Sequence, residues 1–157
     1  MIQWALFFHV LAVLALLATH GTSMVVLYRI RGERDRAKIL SLLTMSGETT
    51  IPMYVSLGAV LVTGVWNMFA IHALGKAWVW LAIAILVVVV GLMTAVAKPY
   101  FTRVKAACEV RPSGVPRVSD EELTQITTSS TGHLIMAIGV VGLAAILYLM
   151  VFKPWQF

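Results

Sequence analysis

Cysteine occurs once, at Cys108, so neither an internal disulfide nor a Cys-based zinc centre is open to this chain. Charge is nearly as scarce: only 12% of the 157 residues are Asp, Glu, Lys or Arg, against about 25% in ordinary soluble domains. No glycine-rich phosphate loop, Gly-x-Ser-x-Gly elbow or His-Glu-x-x-His pair occurs, which leaves nucleotide and hydrolase chemistry without residues to carry it. The reading therefore leans away from an enzyme. The start "MIQWALFFHV" lacks a basic leader, and the apolar run that follows is too long for a signal-peptide core, so the first helix is expected to stay in place.

What is abundant is hydrocarbon. Hydrophobic residues make up 60% of the chain, and mean hydropathy is +0.90. Four long apolar runs, 2–28, 51–71, 78–97 and 134–152, are each near or above the roughly 20 residues that cross a bilayer as a helix. Runs such as "LAIAILVVVVGLMTAVA" are apolar on every side, which excludes the alternation of a membrane barrel strand. The fold class expected is all-α: one polytopic domain, 1–157, of four transmembrane helices in an up-down bundle, with connections 29–50 and 98–133.

The charges are placed on one side. Ten of the twelve basic residues fall in those two connections, which predicts that both are cytoplasmic and both termini lie outside, in a bacterial cytoplasmic membrane. Such a distribution points to lipid headgroups and not to nucleic acid. Trp4, Trp66, Trp78, Trp80 and Trp155 all fall at the opposite helix ends, where indole favours the headgroup layer.

The connections carry their own signals. "AKILSLLTM" reads as an interfacial helix or an inner extension of span two, with Gly32 and Gly47 as breaks. In "VRPSGVPRVSDEEL", Pro112, Gly114 and Pro116 enforce a loop, and Ser119 with Glu122 has capping-box spacing. Gly132, Gly139 and Gly142 of span four, and Ala5, Ala12, Ala15 and Thr19 of span one, are small enough for close helix contact.

Intramembrane polarity collects in "THGTS" (19–23), "SGETT" (46–50) and "TTSSTGH" (127–133). Counted from the basic boundary at 1.5 Å per residue, His20 and His133 lie about 14 and 17 Å deep, close enough in depth to meet. Histidines on facing membrane helices can hold a b-type haem, which makes His20 and His133 candidate axial ligands. His9 lies eleven residues before His20, nearly three turns, and so shares its face. A metal site of His20, His133 and Glu48 is the alternative. The ordinary roles are interhelical or headgroup hydrogen bonds for the histidines and a helix-start dipole partner for Glu48, between Gly47 and Pro52.

The opening "WALFFHVLAVLALL" and the ending "YLMVFKPW" resemble a family of bacterial four-helix integral membrane proteins grouped as a domain of unknown function. More distantly, the layout is similar to the copper-resistance D domain and to HemJ-type membrane proteins. The HemJ likeness implies His9 as the early first-helix histidine linked to haem there. The tryptophan and glycine that tend to follow that histidine are replaced in "HVLAVLALLATHG".

Three functions compete on this reading. The first is a non-catalytic accessory or structural subunit of a larger membrane complex, with other membrane-protein subunits or a second copy as partner. The second is a haem b redox protein exchanging electrons with a quinone. The third is a small proton or ion pathway through His20, Glu48 and His133.

Overall fold

A computed structural model describes residues 2–154; Trp155, counted above with the tryptophan belt, lies outside them. Among the described residues every regular element is helical, and β-pairing is confined to one bridge between Val110 and Pro116. The helices are α1 (Ile2–Gly32), α2 (Arg36–Glu48), α3 (Thr50–Ala70), α4 (Ala77–Leu92), α5 (Lys98–Cys108), α6 (Asp120–Thr128) and α7 (Ser130–Phe152), with a π-helical turn at Met93–Ala97 between α4 and α5. They join into four rods long and apolar enough to cross a membrane: Ile2–Gly32, Arg36–Ala70, Ala77–Cys108 and Asp120–Phe152.

Each rod outruns its apolar core at the basic end, for local reasons. Arg29 and Arg31 occupy the last turn of α1, where positive charge complements the helix dipole. Asp35 caps α2 by accepting from the backbone N–H groups of Ala37 and Lys38, satisfying donors that the first turn otherwise leaves free. Gly47 does not break the chain; α2 passes into α3 through Thr49, which keeps right-handed helical angles. Pro52 falls in the first turn of α3, where its missing N–H costs nothing. Glu48 therefore closes α2 instead of opening a helix, a correction to its expected dipole role.

The apolar run of span three ends at 97, before Lys98 and Pro99, but the helix does not. It continues to Cys108 because the π turn widens the helix just upstream of the proline, with the Lys98 N–H reaching back to the Met93 carbonyl. A proline ring collides with the carbonyl four residues before it, here within that turn, and a wider turn relieves the collision. In span four, Ser119 accepts from the Glu122 N–H and opens α6 with Asp120, Glu121 and Glu122 in its first turn, as the capping-box spacing predicts. The rod is interrupted once, at Ser129 (ψ 155°), and α7 ends on left-handed Lys153 (φ 44°) before Pro154.

Two helix pairs organise the packing. On α1 and α3, Ala5 meets Asn67 and His9 meets Thr63, while nearer the basic end Ser23 meets Ser46 of α2. Across α4, the π turn and α7, Lys153 lies over Trp78, Gly142 meets Val89 and Gly139 meets Met93. In both pairs residue numbers rise along one helix as they fall along the other.

The largest fully buried side chains, including Leu27, Ile30, Ile39 and Val104, gather at the basic end, where α1, α2, α5, α6 and α7 converge. A smaller cluster of Met68, Trp78, Val79 and Leu149 closes the opposite end. Between them apolar side chains face outward: Val62 is 70% exposed, Val87 65% and Val141 66%. A continuous surface of this kind is costly in water and natural in lipid.

Candidate functional site

The polar layer lies where α1 meets α7 and the α6–α7 break. Within 19–23, most of the polarity is absorbed locally. The Thr19 hydroxyl donates to the Ala15 and Leu16 carbonyls and that of Thr22 to Ala18, the back-bonding by which Thr settles in a helix interior. Ser46 of α2 donates to Ser23 at 2.9 Å.

His20 differs from these. Its Nε2 is buried and is the one buried side-chain nitrogen or oxygen among the described residues that lacks a hydrogen-bond partner. It faces α7 at Gly139, where a Cβ would stand 3.0 Å from Nε2 and 3.1 Å from the Met93 methyl of the π turn. Absence of a side chain at Gly139 is what admits both groups.

His133 is engaged elsewhere. The Arg31 guanidinium donates to His133 Nε2 at 2.7 Å, to the Ser129 carbonyl at 2.8 Å and to the Thr128 carbonyl at 3.0 Å. A guanidinium only donates, so His133 Nε2 carries the lone pair and its remaining proton sits on Nδ1. Gly132 makes room for this staple, since a Cβ there would fall 2.7 Å from the Arg31 nitrogen. The Thr128 carbonyl, in the last turn of α6, thereby gains a donor beside the Ser129 break, and the Ser129 carbonyl, which already accepts from the Gly132 N–H, gains a second.

His20 and His133 consequently address different stations on α7. Gly139 is six residues beyond His133, about 9 Å along a helix and well round its circumference. A six-coordinate haem needs two nitrogens aimed at one iron from opposite faces, and with His133 bound to Arg31 these residues do not fit a His20–His133 pair as arranged. Glu48 is exposed at the end of α2. Among the described residues, no three His, Cys, Asp or Glu side chains gather as a metal site would require.

His9 faces α3. Thr63 spends its single hydroxyl proton on the Ala59 carbonyl at 2.6 Å, so its oxygen accepts from His9 Nδ1 at 3.0 Å. Gly64 gives the ring space, with a Cβ position 3.3 Å from His9 Cε1. The face of α1 that carries both histidines thus meets α3 at one depth and α7 at another. Of the small residues on α1, Ala5 and Ala12 are buried and Ala15 is exposed. His72 sits exposed in the turn after α3 with φ 52°.

Arginines counted only as topology signals prove to be structural. Besides Arg31, Arg36 donates to the carbonyls of Ala107 (2.7 Å) and Val118 (2.8 Å) and pairs with Asp120 (2.7 Å), tying α2 to α5 and to the start of α6. Tyr100 donates to the Thr127 carbonyl at 3.1 Å, tying α5 to the end of α6 beside the α6–α7 break. The spacing of these residues carries no sign of such roles; the one legible hint is the pair of glycines, Gly132 and Gly139, that leave space for Arg31 and His20.

No family model, curated protein or solved structure matches this chain or its fold.

Proposed function

We propose that the chain is a multi-pass protein of the bacterial cytoplasmic membrane, an up-down four-helix bundle with its basic end in the cytoplasm and both termini outside, serving as a non-catalytic structural or accessory subunit of a membrane complex. The observation that carries this reading is how the polar side chains are used. His9 with Thr63, Asn67 with the Ala5 carbonyl, Ser46 with Ser23, and Arg31 with His133 each hold one helix to another. Polar groups in lipid are costly unless paired, and here the pairing builds the bundle. Counter-running contacts in both helix pairs support the up-down arrangement, and the charge asymmetry supports the orientation. The outward apolar faces supply surface for lipid or for a neighbouring subunit.

Purification in mild detergent tests the role: stoichiometric co-migration with other membrane subunits is expected, and a monodisperse lone monomer contradicts it. Orientation is read by placing single cysteines at Ser113 and Leu74 in a Cys108→Ser background and labelling intact cells with a membrane-impermeant maleimide. Labelling at 74 and protection at 113 is the expected result.

A second reading, a haem b redox protein, is favoured by one observation, the unpartnered Nε2 of His20. It requires another axial ligand, and His133 serves only if Arg31 releases it. A dithionite-reduced minus oxidised spectrum of protein made with ample haem decides the matter; absence of haem bands removes this reading.

A further inference from the structure

We propose that an open cleft at the basic end of α1 binds the phosphate of an anionic lipid headgroup. The cleft has a volume of about 650 Å³ and is lined by Tyr28, Arg29, Arg31, Gly32, Glu33 and Thr128. The proposal rests on the membrane reading above.

Its charge has no carboxylate paired with it, unlike that of Arg36, Lys38 and Arg117. Arg36 pairs with Asp120, Arg117 with Glu109 at 3.1 Å and Lys38 lies 4.0 Å from Asp35. The three partners of Arg31 are instead neutral, two carbonyls and the unprotonated nitrogen of His133. Arg29 has no ion-pair or hydrogen-bond partner among the described residues. Two guanidinium groups therefore border one cleft without a carboxylate pairing either. The carboxylate that does line it, Glu33, is turned to the linker: one oxygen accepts from the backbone N–H groups of Arg34 (2.8 Å) and Asp35 (3.0 Å).

The surroundings point to a lipid as the source of the phosphate. Arg29 and Arg31 stand in the last turn of α1, directly after its apolar run, at the level where acyl chains give way to headgroups. Val25, Tyr28 and Arg29 follow one another at helical i, i+3 and i+4 spacing and so share a strip of α1. Val25 is 56% and Tyr28 72% exposed. An acyl chain running along Val25 brings its phosphate to Arg29 and Arg31, with the Tyr28 ring at the boundary. The free guanidinium fork of Arg29 matches phosphate oxygens in geometry as well as charge, while Arg31, whose terminal nitrogens are held by Ser129, Thr128 and His133, adds its positive charge.

The test uses full-length protein extracted in mild detergent, equilibrated with phosphatidylglycerol or phosphatidylcholine and weighed by native mass spectrometry. Wild type should retain phosphatidylglycerol preferentially, and Arg29→Gln should lower retention about fivefold, the effect of one basic residue near a membrane surface. Arg103→Gln is the control, because Arg103 is an exposed arginine of α5 outside the cleft; its retention should match wild type. Equal losses in the two variants, or no preference for phosphatidylglycerol, overturn the proposal in favour of diffuse attraction. Displacement by millimolar inorganic phosphate as effective as that by free lipid overturns the lipid assignment. If the protein is released from membranes by alkaline carbonate, the membrane reading itself fails; a membrane-integrated protein that retains lipid without preference refutes the cleft alone.

Discussion

Between α1 and α3, beside a stack of Phe8 on Trp66, the ties are polar: His9 donates to Thr63, and the Asn67 amide donates to the Ala5 carbonyl at 3.0 Å. Between α4 and α7 they are steric: Gly142 lies against Val89, and Gly139 lies against Met93 of the following π turn. The two pairs answer the same difficulty, because lipid tails are as apolar as Leu and give helices no hydrophobic reason to associate. One pair holds by donors and acceptors that would otherwise face hydrocarbon. The other holds by bringing backbones close, so that many small dispersion contacts add up. A hydrogen bond tolerates a shift of a few tenths of an ångström, whereas a glycine contact does not, and the two pairs should respond differently to the same chemical insult.

The largest effect is expected from one methyl group at Gly142. A Cβ there collides with the Val89 Cγ2, and a β-branched side chain has little rotamer freedom with which to retreat. Gly142→Ala should cost about 2 kcal/mol, in the range of core overpacking, measured by thermal unfolding in detergent. Gly139→Ala, which meets only the flexible Met93 methyl and the edge of the His20 ring, should cost markedly less. Adding Val89→Ala to Gly142→Ala should recover most of the loss. If both glycine variants behave alike, close approach is not what joins α4 to α7.

Next in size is Arg31→Gln, which cuts the tie between the two pairs. Arg31 reaches from α1 to the carbonyls of Thr128 and Ser129 and to His133. Its loss should cost about 1.5 kcal/mol, the low end for charge-assisted bonds because the group is part-exposed. Hydrogen exchange should rise at residues around the α6–α7 break and not at the α1–α3 contacts. A uniform rise along all four rods would mean that the staple supports the whole bundle and not the joint between pairs.

That joint also explains where a reading of the sequence succeeds and fails. Pro112, Gly114 and Pro116 act through their own backbones and Ser119 through a side chain that reaches only three residues on, so the loop and the cap were legible from residue type and spacing. The four apolar rods were legible because lipid imposes length and composition directly. The pairing of His20 with His133 was a matter of depth counted along span four as one continuous helix. Ser129 interrupts that helix, which resets both rise and rotation, and His20 meets Gly139 instead. A partner is chosen by azimuth and crossing angle as well as by depth, and neither is written in one helix. For the same reason Arg31 and Arg36 read as charge on one side of a membrane, while their acceptors are carbonyls of elements about 70 to 100 residues away, and carbonyls have no sequence signature.

A smaller effect is expected for the polar contact of the first pair. A double-mutant cycle of His9→Phe and Thr63→Val should give a coupling of about 0.6 kcal/mol, the average for interhelical hydrogen bonds in membranes. Coupling several times larger would reverse the comparison, making polar contacts the stronger glue of this bundle.

The smallest effect belongs to Glu33, in the linker that turns α1 into α2. Backbone N–H groups of Asp35 and then Arg34, with the nearby Lys38 and Arg34 charges, hold its carboxyl below the ordinary carboxylate range against the opposing effect of its desolvation. A folded pKa lower than the unfolded one contributes stability above the unfolded value of about 4.3 and loses it as pH falls through the folded value. Above that window the charge tightens the linker; well below it, wild type and Glu33→Gln should have the same stability. The carboxyl resonance of Glu33, followed by NMR in detergent, should titrate with a midpoint below that of a free glutamate. A midpoint at or above the free value would mean that the linker gains nothing from the charge, leaving the Asp35 cap to hold the first turn of α2.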